Sequence, residues 1–97
     1  MTLDEMAEIL EAGDDEFLKF ERIKQPRSKR PDLHAFLLLD ELVPGNSDMV
    51  SAAEHDEFYL EVSPEDLAAA ATKEQLVDLK RCGVRYDSSV DSLAMFA

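Results

Sequence analysis

The sequence predicts an α+β domain, a small antiparallel sheet of about three strands covered on one face by several short helices. Three observations predict it. Apolar residues recur at the 3.6-residue period of a buried helix face in several capped segments. Residues 57–62 alternate with period 2, as a half-buried strand does. Residues 84–96 hold two short apolar segments around a polar turn, which reads as a hairpin. The length of 97 residues suits one domain, 1–97, and the 45% apolar content is that of a globular chain, with a basic connector at about 24–31.

The chain opens with a helix. Thr2 and Glu5 have the spacing of a capping box, in which each side chain satisfies the other's backbone N–H. Leu3, Met6, Ile9 and Leu10 then share one face, and Gly13 is a C-terminal stop. A second short helix follows, capped by Asp14 or Asp15 and packing Phe17, Leu18, Phe20 and Ile23 inward. The alternation of Leu18 and Phe20 with Lys19 and Glu21 also fits a strand. Lys24 to Arg30 is nearly devoid of apolar residues and ends at Pro31, as a solvated connector should. Pro31 and Asp32 open the strongest helix, with Leu33, Phe36, Leu37, Leu39, Leu42 and Val43, and Pro44-Gly45-Asn46 closes it. This is the expected central helix.

Met49 to Glu54 reads as a further helical turn. Phe58, Leu60 and Val62 then form one face of a strand, with Glu57, Tyr59 and Glu61 on the other. Ser63 caps the next helix, Pro64 takes its first position and Glu65 and Asp66 suit its positive end. Thr72 and Gln75 form a second capping box, Lys80 and Arg81 fall in the last turn and Gly83 ends that helix. The strand at Phe58 can join the C-terminal hairpin as its third member.

Charge is laid out in blocks. Residues 1–18 carry seven acids and no base; residues 19–30 carry six bases against Glu21. Residues 31–72 carry ten acids and no base, and 73–97 balance, for a net charge of -12. Such patterning bears on partners and association rates rather than on fold. It argues against direct contact with nucleic acid, whose phosphates select basic surfaces, and against anionic membranes. No apolar run approaches the roughly 20 residues of a membrane helix. No apolar segment follows a basic start, and the one cysteine has no internal partner. A cytoplasmic location is the expectation.

No catalytic motif stands out, and we expect no enzyme, no cofactor and no metal site. His34, His55 and Cys82 lack the CxxC or HxxxH spacing of zinc ligands. His55-Asp56-Glu57 are adjacent, so on a strand they point to opposite faces. The carboxylate pairs Asp14-Asp15, Asp40-Glu41, Asp56-Glu57 and Glu65-Asp66 fall at helix starts, turns and exposed strand positions, and read as caps and solvated faces. Cys82, at a helix end, reads as a buried structural thiol. The basic run Arg22, Lys24, Arg27, Lys29 and Arg30 reads first as a loop pairing with the protein's own acids. It is also a self-association candidate, meeting the acidic field of a second copy.

The acids themselves invite two readings. They keep a small protein soluble, or they imitate nucleic-acid phosphates on a basic groove of another protein. Glu57, Tyr59 and Glu61 on one strand face would stand about 6–7 Å apart. With Glu54, Asp56, Glu65 and Asp66 they form the candidate partner-binding set. The stretch Arg81-Cys82-Gly83-Val84-Arg85-Tyr86-Asp87, with Asp91-Ser92-Leu93-Ala94-Met95-Phe96 and Asp32-Leu33-His34-Ala35-Phe36-Leu37-Leu38-Leu39-Asp40, resembles uncharacterised small acidic proteins of tailed phages and prophages. The resemblance implies no activity and no functional residue, but small acidic phage proteins often bind and inhibit a host protein. The leading expectation is therefore a non-enzymatic inhibitor that occludes a basic, nucleic-acid-binding surface of a protein. The alternative is a structural protein that assembles through the basic segment.

Overall fold

A computed structural model describes residues 1–11 and 15–96. Local signals in the sequence place most of its elements. α1 (Leu3–Ile9) starts at the Thr2–Glu5 capping box and buries Met6 and Leu10, with Leu3 and Ile9 packed at their edge. α2 (Pro31–Leu42) has proline at its first position. α3 (Pro64–Ala70) is capped by the Ser63 hydroxyl, which accepts the Asp66 N–H. α4 (Lys73–Arg81) begins at the Thr72–Gln75 capping box and ends at Gly83, whose φ of +99° an L side chain rarely adopts. A Cβ at Gly83 would stand 2.8 Å from Leu18 Cδ2.

Four strands form one antiparallel sheet in the order β1-β2-β4-β3: β1 (Val50–Glu54), β2 (Glu57–Leu60), β3 (Arg85–Asp87) and β4 (Ser92–Phe96). The C-terminal hairpin and its pairing with the Phe58 strand are as the sequence predicts. The fourth strand is not. Met49 to Glu54, read above as a helical turn, folds back on β2 through a two-residue turn at His55 (φ 52°) and Asp56 (φ 64°). Two successive positive φ angles match the right-handed twist of the strands they join.

Three other expectations need correction. Residues 15–23 form no helix: turns lead into a single 3-10 turn, Phe20–Arg22. Leu18 has φ 62° and is 60% exposed, while its N–H bonds to the Lys80 carbonyl. Gly13 and Asp14, read as a stop and a cap, lie outside the described residues. On α2 the buried stripe is His34, Ala35, Leu38 and Leu39, whereas Leu33 and Leu37 are exposed. α4, rather than α2, is the helix that meets α1, α2 and the 3-10 turn.

The helices cover one face of the sheet. Phe58, Leu60, Leu93, Met95 and Tyr86 point into the core they share with Met6, Leu38, Leu67, Leu76 and Leu79. Phe36 of α2 meets the edge of the Phe58 ring at 6.2 Å. The opposite face carries Glu54, Ala52, Glu57, Tyr59, Ala94, Phe96 and Arg85, since directly paired residues share a face. Among the described residues, no helix is long and apolar enough to cross a membrane.

Candidate functional site

The outer face of the sheet divides into a closed half and an open half. The closed half is built on Ala94, in the central strand β4. Tyr59 pairs with it from β2 and Arg85 from β3. Alanine is too short to separate its neighbours, so the Arg85 side chain crosses over it to form an ion pair with Glu57. Ala94 is left with no exposed surface although it lies away from the main core. The Arg85 guanidinium also stands 4.5 Å from the centre of the Phe96 ring and 3.9 Å from Asp87.

The open half is β1. All five of its residues are exposed, and it has a neighbour on one side only. Acids stand at its ends: Asp48 before it, Glu54 and Asp56 at the hairpin tip, and Glu61 beyond the far end of β2. Glu65 and Asp66 follow in the first turn of α3, Glu65 acting on Tyr86 of β3, and all six are exposed. Among the described residues no lysine or arginine pairs with any of the six.

The candidate row read from the sequence is therefore broken in the middle. Glu57 is turned inward to Arg85, with only 21% of its side chain exposed, and Tyr59 is half-buried. Glu54 and Asp56 gather at one end of β2 and Glu61, Glu65 and Asp66 at the other, about 13 Å apart at strand spacing. Sequence reasoning missed the β1 edge, the exposed Phe96 and the crossing of Arg85 to Glu57. Nothing local signals a pair 28 positions apart.

The basic segment is placed differently. Five of the chain's ten lysines and arginines, namely Arg22, Lys24, Arg27, Lys73 and Arg81, line a cleft of about 850 Å³ between the connector and α4. Most of this charge is matched internally. Glu16 accepts from Arg22 and from Arg81 at 2.5 Å, and these two hold its carboxyl below the usual carboxylate range. Arg81 also reaches Asp78 at 3.0 Å, and Arg27 pairs with Glu41. Of the self-association candidates, Arg22 and Arg27 are thus engaged within the chain, while Lys24, Lys29 and Arg30 are exposed.

His34 lies in the wall of this cleft, buried, its Nδ1 accepting the Arg27 N–H at 2.9 Å. The ring proton therefore sits on Nε2. Burial, aided by the Arg27 charge and opposed by Asp78, lowers its pKa. Burial pushes the Cys82 thiol up to about 12, with Asp78 and Asp32 adding to it, so this cysteine is a core side chain and not a nucleophile at neutral pH. Among the described residues no group of three histidine, cysteine or acidic side chains is arranged to hold a metal ion. Compared with protein-family models, with curated proteins and with solved structures, the chain finds no match.

Proposed function

We propose that this chain is a non-enzymatic interaction protein whose acidic sheet edge binds a basic surface of another protein and, by covering it, blocks access of nucleic acid to that surface. The observation that carries the reading is the contrast in charge matching. Glu16, Glu41, Glu57 and Asp78 are spent on arginines inside the chain. Asp48, Glu54, Asp56, Glu61, Glu65 and Asp66 are exposed and, among the described residues, form no ion pair. Uncompensated surface charge of one sign mainly accelerates association with a partner of the other sign and selects against wrong ones. Affinity needs desolvated apolar contact as well, and Tyr59 with the 56% exposed Phe96 offers it on the same face.

The test is capture of partners from lysate at low salt, stepwise salt elution, and repetition with Glu54→Lys/Glu61→Lys. The expected result is one stoichiometric protein with a nucleic-acid-binding groove, eluted by salt, released from nucleic acid by the wild-type chain and lost with the double reversal. Equal capture by the double-reversal variant overturns the assignment of this face. Sedimentation of the free chain as a salt-sensitive oligomer would move the weight to self-assembly.

A further inference from the structure

Building on that reading, we infer that β1 recognises its partner by strand addition: an extended basic segment of the partner protein pairs with the open edge and continues the sheet. β1 ends the strand order, all its residues are exposed, and its ladder to β2 is regular over residues 52–54, with a bulge between Val50 and Ala52, so the outer backbone groups of that regular stretch face solvent. The two-residue turn at His55-Asp56 fixes which groups these are. In such a hairpin the flanking pair, here Glu54 and Glu57, is hydrogen-bonded. Hydrogen-bonded and open pairs alternate along an antiparallel ladder, so at the next pair the N–H and C=O of Ala53 point away from β2.

The side chains leave this edge accessible. Proteins commonly guard an edge strand with lysine or proline. Val50-Ser51-Ala52-Ala53-Glu54 contains neither, four of the five side chains are small, and the bulge between Val50 and Ala52 interrupts only its first half, leaving residues 52–54 open. The other edge, β3, is three residues long and half-buried throughout. Charge decides the occupant. Asp48, Glu54, Asp56 and Glu61 flank β1, and residues 31–72 contribute no base. A second copy would bring the same acids and a further charge of -12 to the contact. A segment with arginine or lysine at alternate positions would set its cations on the outer face beside Glu54, next to the Tyr59 ring. The main-chain bonds supply affinity and the alternate side chains supply selection.

The probe is a nine-residue peptide alternating arginine and threonine. Its control has the same sequence and charge but N-methyl groups on alternate backbone amides, which removes the donors a ladder needs. Binding is followed by fluorescence anisotropy, and hydrogen exchange at the Ala53 amide is read by NMR. The expected result is slowed exchange at Ala53 on binding and at least tenfold weaker binding of the methylated control. Ala53→Pro, which removes the outward N–H and leaves the bonds of Glu54 to β2, should show a similar loss. If both peptides bind equally and Glu54→Lys/Glu61→Lys weakens both, strand addition is overturned while the acidic-surface reading stands. If neither peptide binds, both fall.

Discussion

The two edge strands of this sheet are closed by different means, and one of them is hardly closed at all. β3 is short, and its three residues are half-buried: Arg85 is tied to Glu57, Asp87 and Phe96, and Tyr86 donates to Asp91 at 2.5 Å. Asp87 in turn accepts from the Ser89 N–H and hydroxyl, which order the loop beyond and hold its carboxyl below the usual range. β1 has five exposed residues, four of them small, and among the described residues its Glu54 forms no ion pair. Side chains that cross a sheet and find a charge partner stabilise the fold; exposed acids at an edge add little to it. The difference separates charge that holds the structure together from charge left on the surface.

The change with the largest expected effect opens the closed edge. Arg85→Ala leaves Glu57 without its cation, directly opposite Glu54, and uncovers Ala94 and Phe96. Loss of one partner of a largely covered ion pair, together with lost packing, should lower stability by about 2–3 kcal/mol. Urea unfolding would read this as a lower midpoint at unchanged slope. A change under about 0.5 kcal/mol would mean that the crossing is a surface ion pair of no structural weight, and the contrast between the edges would fail.

A smaller effect is expected at Tyr86. Its hydrogen bond to Asp91, with some burial, pushes the phenol up to about 12 from an ordinary value near 10. The folded state therefore holds this proton more tightly than the unfolded chain does. The stabilisation is complete below about pH 10 and is lost as pH rises toward 12. Tyr86→Phe should cost about 1.5 kcal/mol at neutral pH, the low end for a hydrogen bond to a charged acceptor because this one is exposed, and should flatten the decline of stability above pH 10. In a Tyr59→Phe background the remaining phenolate absorbance should appear near pH 12. Absorbance rising near pH 10 would show that Tyr86 is not held by Asp91.

The two edges were unequally legible in the sequence, for a physical reason. Caps are local. Thr2 with Glu5, Ser63 with Pro64, and Thr72 with Gln75 each act within four residues, and α1, α3 and α4 start where they predict. The β3–β4 hairpin shows in its two short apolar segments around a polar turn. β1 has no such signal, because every residue in it is exposed and nothing requires alternation. Its turn uses His55-Asp56 in place of the glycine-bearing pair that usually marks such a turn. The missing helix at 15–23 was overridden from a distance, by the bond from the Leu18 N–H to the Lys80 carbonyl. The candidate site was legible in composition, as a run of acids without bases. Which acids are spent internally depends on Arg85, Arg81 and Arg27, whose partners lie 14 to 65 positions away or across a strand.

The finest test of the contrast lies in one cross-strand pair. Glu54 and Glu57 stand directly opposite each other, one at the open edge and one bound to Arg85. Like charges in that position repel, and a cross-strand pair is worth about 0.2–1 kcal/mol. Arg85 neutralises Glu57, so the residual repulsion should fall at the low end. Removing either charge relieves it, but only Glu57→Gln also strips the arginine of its partner. Glu54→Gln should therefore leave stability unchanged or raise it by a few tenths of a kcal/mol, whereas Glu57→Gln should lower it by about 1–2 kcal/mol. The gain from Glu54→Gln should be visible in about 10 mM salt and vanish in about 1 M, where charges more than ~3 Å apart are screened. Equal losses from both substitutions would mean that Glu54 also carries structural weight, and β1 would then be a guarded edge like β3.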